Sequence, residues 1–96
     1  MRVYEKTVEL NAWQLPDIDD NDFDVTLNKL AKLLPLVPYS RVRVLFTINR
    51  YVVTTLQGAT LARSGDYIVQ GSNDDVWVIH REIFEDTYEV IDDDSN

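Results

Sequence analysis

The chain of 96 residues has no cysteine, a single histidine, and only three glycines and three prolines. The missing cysteine excludes disulfide stapling, Cys-ligated zinc, iron–sulfur clusters and thiol nucleophiles together. The fold must therefore stand on packing. No apolar run approaches the roughly 20 residues a membrane span needs. In the opening MRVYEKTVELNAW, charged residues interrupt the apolar ones at every second or third position, so no signal-peptide apolar stretch is present. A cytoplasmic protein without membrane association is the expectation.

Positive charge is also scarce: nine Lys and Arg face seventeen Asp and Glu, for a net charge of −8. Direct nucleic-acid binding needs clustered Lys and Arg on a basic surface, and the total argues against it. The distribution says more. Between Val25 and Gly65 stand Lys29, Lys32, Arg41, Arg43, Arg50 and Arg63, and no acid at all. The remainder holds every acid against Arg2, Lys6 and Arg81. Folding can either separate these blocks or interleave them into ordinary ion pairs.

What is present is enough for a core. Hydrophobic residues make up 45 % of the chain, with aromatics at 10 %, which suits one small globular domain over residues 1–91 and an acidic disordered tail over 92–96. Arg2 to Gln14 alternates apolar and polar residues and predicts a strand. LPDIDDNDFD is too rich in Asp to continue it and predicts a loop. In VTLNKLAKLL, Leu27, Leu30, Ala31 and Leu34 fall at i, i+3, i+4 and i+7, so a helix is expected over about 25–34, capped by Asp22 or Asp24 and stopped by Pro35 and Pro38.

From Arg41 the period changes to two. Val42, Val44, Phe46 and Ile48 are expected on one face, and Arg41, Arg43 and Thr47 on the other. Tyr51 to Leu56 supplies the returning arm of a hairpin. Turns are expected at Gln57-Gly58, Ser64-Gly65-Asp66 and Gly71-Ser72-Asn73-Asp74. A short strand, Tyr67 to Gln70, lies between the last two. Asp75 to His80 is apolar on both faces, which suggests a central strand. REIFED predicts one helical turn before a last strand ending near Ile91. About six short, mainly antiparallel strands and one helix make an α+β fold with a bent sheet or partial barrel.

The stretch from Thr55 to Ile91 contains Gly65-Asp66-Tyr67-Ile68, then Gly71, then Ile83-Phe84-Glu85 and Thr87-Tyr88-Glu89. In these residues it resembles a family of small phage and prophage proteins of unknown function, whose hallmarks are a Pro-Gly-Asp-Tyr/Trp-Ile segment and a closing Ile-Phe-Glu-x-Thr-Tyr-Glu. Ala12 and Gln14 look like that family's opening strand. Ser64 stands where the family has proline, and Asn73-Asp74-Asp75 replaces its basic, glycine-containing loop. The resemblance implies a phage or prophage origin, and hence the cytoplasm of a bacterial host cell.

The motif also has a physical reading of its own. Gly65 permits a positive φ, Asp66 can accept backbone amides just beyond it, and Tyr67, Phe84 and Tyr88 can anchor the last segment in the core. These are architectural duties.

Chemistry-bearing residues are few. His80 has no second His or Cys with which to hold a metal and no identifiable nucleophile. The series Asp17, Asp19, Asp20, Asp22, Asp24 superficially suggests calcium, but the positions where an EF-hand loop needs Gly and Glu hold Asp22 and Asn28. No catalytic, metal or cofactor site is expected, and the chain does not read as an enzyme. Asp17, Asp19, Asp20, Asp22, Asp74 and Asp75 can instead present spaced negative charge to a partner. Arg41, Arg43 and Arg50, with Tyr51 beside them, form a candidate basic face that can meet nucleic acid or an acidic partner, or else neutralise the protein's own acidic loop or pair with another subunit.

Two functions follow as expectations, with a third, a small-molecule binder or enzyme whose pocket lies inside the bent sheet, that would need a well-formed concave apolar pocket. One is a phage-derived accessory protein that binds a host protein through its acidic surface and inhibits a nucleic-acid-binding or defence factor, in the manner of an anti-CRISPR or DNA mimic. The other is a virion or assembly component that self-associates into a homo-oligomer.

Overall fold

The structure is a computed structural model that describes residues 2–5, 8–71 and 75–92. Its elements run β1 (Arg2–Glu5), β2 (Val8–Gln14), α1 (Phe23–Leu33) passing into a 3-10 turn (Leu34–Leu36), β3 (Ser40–Leu45), a 3-10 turn (Phe46–Ile48), β4 (Arg50–Thr55), β5 (Gly58–Ala62), β6 (Tyr67–Gln70), β7 (Val76–Ile79), α2 (Arg81–Thr87) and β8 (Glu89–Asp92). Asp74, with the rest of its expected turn, and residues 93–96 of the expected tail lie outside the described residues. Asp92, expected in that tail, closes β8.

This is the α+β class read from the sequence. Every strand pairing among the described residues is antiparallel. The strands fall into two open sheets, a five-stranded one ordered β7-β6-β2-β1-β8 and a three-stranded one ordered β3-β4-β5. Among the described residues eight strands form where about six are expected, because the run 2–14 is a hairpin, with Glu5 opposite Val8, and because Gly58–Ala62, to which the sequence assigns no strand, pairs with β4 as β5. Between Arg2 and Gln14 the sequence carries none of the Gly, Pro or Asn-Gly signals that usually divide a strand run.

Two cores are built on opposite faces of the five-stranded sheet. One holds Ile68 and Val76 from that sheet against Val42, Tyr51, Val53 and Ala62 of the three-stranded sheet, closed by Leu15, Leu30 and Val37. The other holds Val3, Leu10, Ala12, Tyr67 and Val69 against Phe84 of α2. Tyr67, Ile68 and Val69 are consequently all buried, so β6 is the strand covered on both sides. The expected central strand, β7, stands at the end of its sheet with only Val76 buried.

Helix α1 starts two residues before the expected position, with Asp22 as its N-cap accepting the Val25 N–H at 3.3 Å. It buries Thr26 and Leu30, while Leu27, expected on the core stripe, is 44 % exposed. The reason is polar. The Thr26 hydroxyl oxygen accepts the Asp19 N–H at 2.7 Å, which turns position 26 inward and rotates 27 outward. The strand from Arg41 also stops early: Phe46 and Ile48 leave the sheet in a 3-10 turn that ends at Asn49, with φ 56°. Ile48 is exposed, and Phe46 stacks on Phe23 with ring centroids 3.9 Å apart.

Candidate functional site

Ser64-Gly65-Asp66-Tyr67 is the knot that joins both cores. The turn is closed by the Asp66 N–H bonding the Arg63 carbonyl at 3.1 Å. It is tied to the end of β2 by reciprocal backbone bonds between Leu15 and the Gly65–Asp66 pair, 3.1 and 2.8 Å, and by Gln14 Nε2 donating to the Gly65 carbonyl at 3.2 Å. Gly65 has φ 85°, and a Cβ there would meet Arg81 Cδ at 3.2 Å. Glycine is favoured here by conformation, since this φ strains any residue with a Cβ.

Asp66 is 3 % exposed. Its Oδ2 accepts the Arg63 N–H at 2.9 Å and lies 3.2 Å from His80 Nδ1; its Oδ1 accepts the Arg81 N–H at 3.0 Å. The amides it accepts are therefore not those just beyond it in sequence, as expected, but one before it and one at the start of α2. Helix α2 has no cap from its own N-cap residue, His80. Asp66 supplies that cap from across the fold, placing negative charge at the helix N-terminus. Burial would push the Asp66 carboxyl up, yet the Arg63 and Arg81 amides and His80 outweigh it and hold the carboxyl below its ordinary value. Tyr67 then stacks on Phe84 at 3.7 Å, and Phe84 on Tyr88 at 5.0 Å. Gly65, Asp66, Tyr67, Phe84 and Tyr88 thus form one continuous unit.

His80 is half exposed, with its Nδ1 turned toward Asp66. A buried carboxylate orienting an imidazole is also how a catalytic dyad is built. Here the carboxylate's other two bonds go to helix and turn amides. Among the described residues no three His, Cys, Asp or Glu are grouped to hold a metal ion.

The acidic loop is more ordered than its composition suggests. Ile18 N–H bonds the Ser64 hydroxyl at 2.9 Å, and Asp19 Oδ1 accepts the N–H groups of Asn21 and Asp22 at 2.9 and 3.2 Å. Two of the expected partner-binding acids, Asp19 and Asp22, thus have structural duties. Asp17, Asp20 and Asp24 are exposed and make no hydrogen bond or ion pair among the described residues. Asp75, also exposed, lies apart from them, where Gln57 Nε2 donates to its Oδ1 at 3.5 Å.

The register of the three-stranded sheet sets Arg41 opposite Thr54, which faces Ala59, Arg43 opposite Val52, which faces Leu61, and Leu45 opposite Arg50. Side chains opposite one another share a face, so Arg41, Arg43 and Arg50 stand together on the outer side. Tyr51, expected beside them, is fully buried on the inner side, where its hydroxyl donates to the Pro16 carbonyl at 2.7 Å. Burial, and then the charge of Asp17, pushes the Tyr51 phenol up to about 12. The acidic loop therefore meets the inner face of this sheet, while the arginines occupy its outer face. Arg41 and Arg43 have no ion pair among the described residues, and Arg50 donates only to the carbonyls of Ile48 and Asn49. Among the described residues, then, the outer-face arginines are not neutralised by the acidic loop.

Sequence reasoning missed a groove of about 410 Å³ between α1 and β3, lined by Leu27, Ala31 and Leu34 on one wall and Val42, Val44 and Phe46 on the other, with Arg43 beside them. Its signal was the leucine stripe of α1, all four members of which line this groove, with Leu30 buried in the core and Leu34 packed against it. Among the described residues no helix is long and apolar enough to cross a membrane. No protein family, curated protein or solved structure matches the chain.

Proposed function

We propose that the protein is an accessory protein of phage or prophage origin that works in the bacterial cytoplasm by protein–protein interaction, presenting its acidic loop to a host nucleic-acid-binding or defence protein. The observation that carries this reading is the pinned loop. Asp17, Asp20 and Asp24 are solvent-facing and pair with no Lys or Arg among the described residues, on a backbone held by Ser64, Thr26 and the Asp19 turn. Imitation of a phosphate backbone needs negative charges at fixed spacing, and a loop ordered beforehand loses less entropy on binding. Among the described residues the loop's exposed carboxylates make no ion pair, and negative charge presented in this way favours steered, salt-sensitive association. The phage origin rests on the Gly65-Asp66-Tyr67-Ile68 and Ile83-to-Glu89 resemblance.

The test is affinity capture from bacterial lysate at low and high salt, with wild type beside the triple variant Asp17→Lys, Asp20→Lys, Asp24→Lys. A stoichiometric host protein lost both at high salt and with the variant supports the reading. Equal recovery with the variant overturns it.

Self-association is the second reading, favoured by the unpaired arginine face, which is complementary to the acidic loop of another copy. It requires a concentration-dependent oligomer in sedimentation, dispersed by the same triple variant.

A further inference from the structure

Strand β3 is the outer strand of its sheet, hydrogen-bonded to β4 alone among the described residues. No helix, turn or loop of the described chain bonds its other edge. An open edge is a row of unpaired N–H and C=O groups, a template for one more strand. Its surroundings are asymmetric. On the inner side lies the apolar groove walled by Leu27, Ala31 and Leu34 of α1 and by Val44 and Phe46. On the outer side stand Arg41 and Arg43, exposed and without an ion pair among the described residues.

We propose that the β3 edge takes up an extended peptide segment of another protein in which apolar residues alternate with Asp or Glu, the apolar side chains entering the α1–β3 groove and the carboxylates meeting Arg41 and Arg43.

The period fits. Arg41 and Arg43 are two residues apart, about 7 Å along a strand, the spacing of acidic residues at i and i+2 on an added strand. Opposite charges on neighbouring strands attract and like charges repel. The same arginines therefore disfavour a second copy of β3, which would bring guanidinium against guanidinium, as well as any basic segment. A nucleic acid is the poorer occupant, because phosphates leave an apolar groove unfilled and meet a chain of net charge −8. No Asp or Glu between Val25 and Gly65 competes for the arginines from within that stretch. Asp17 and Asp20 lie in the loop ahead of α1 and line no part of this groove, so the double variant Asp17→Lys, Asp20→Lys should leave it intact.

The test uses the full chain and two short synthetic peptides, one alternating valine with glutamate and one alternating valine with lysine, measured by calorimetry and by NMR amide exchange. The glutamate peptide is expected to bind, to slow exchange along β3, and to bind the Arg41→Glu, Arg43→Glu variant about tenfold or more weakly. The single variant Leu27→Glu, at an exposed groove position, should weaken binding while leaving the arginines in place. Circular dichroism establishes that both variants are folded. Failure of the glutamate peptide to bind overturns the proposal. So do equal binding of the lysine peptide, undiminished binding to the folded arginine variant, protection appearing at β5 or β8 instead, or a homodimer that occupies β3 and excludes the peptide.

Discussion

Asp66 and Arg81, fifteen residues apart in sequence, are joined by a 3.0 Å hydrogen bond from the Arg81 N–H to Asp66 Oδ1. That bond fixes the start of α2 to the turn that starts β6, and it decides where Phe84 meets Tyr67. The same carboxylate holds the Arg63 N–H, so one buried side chain satisfies donors from two segments.

Removing it should be costly. Asp66→Ala leaves the Arg63 and Arg81 amides without their acceptor, and buried bonds to a charged group are each worth about 1.5–3 kcal/mol. A loss of roughly 3 kcal/mol in urea unfolding is expected. Asp66→Asn keeps one acceptor oxygen and should lose roughly half as much. Equal stability of Asp66→Ala and wild type contradicts the capping role.

The same contact makes stability depend on acid. The Asp66 carboxyl is held below its ordinary value in the folded protein, so its contribution is fully present above the unfolded value of about 3.9. It is lost as pH falls through the folded pKa, because both states are then protonated. The stability gap between wild type and Asp66→Asn should be constant above about pH 5 and narrow below about pH 4. Urea midpoints at stepped pH measure it, and a gap that widens in acid gives the wrong sign.

The Asp66 case shows how far sequence carries and where it stops. Gly65 was legible as a positive-φ position because only the local backbone decides that, and φ is 85°. The partners of Asp66 were not legible, because Arg63, His80 and Arg81 converge only through tertiary folding. The helix was legible from its period, but its buried face was not. Thr26 turned inward to hold the Asp19 amide, and that preference for a polar contact over the leucine stripe leaves no trace in apolar periodicity. The arginine face was legible from alternation at Arg41 and Arg43. Tyr51 stands apart from that face because the hairpin register, which alternation along one strand does not reveal, sets it opposite Val44 on the inner side.

Tyr51 should make the protein sensitive to alkali. Its phenol, raised from 10.0 to about 12, is protonated in both states below pH 10. Above that pH the unfolded chain ionises first, so stability falls as pH climbs toward the folded value. Tyr51→Phe removes the 2.7 Å bond to the Pro16 carbonyl and should cost about 1 kcal/mol at neutral pH. It should also flatten the alkaline loss between pH 10 and about 12. Urea unfolding of both proteins in that range is the measurement, and parallel curves would remove Tyr51 as the cause.

The acidic loop separates into residues that hold it and residues that it displays, and stability should distinguish them. Asp22→Ala removes the N-cap of α1 and should cost about 1 kcal/mol. Asp19→Ala frees the Asn21 and Asp22 amides and should cost a similar amount. The triple variant Asp17→Lys, Asp20→Lys, Asp24→Lys touches no described hydrogen bond and lies on the surface, where substitutions usually stay within about 0.5 kcal/mol. Asp24 stands in the first turn of α1, and a lysine there opposes the helix dipole, so any small loss should come mainly from that position. Thermal unfolding of the single and triple variants tests the division. If the triple variant is as destabilised as Asp22→Ala, the exposed carboxylates belong to the scaffold, and a loss of partner binding on reversing them no longer reports on a surface.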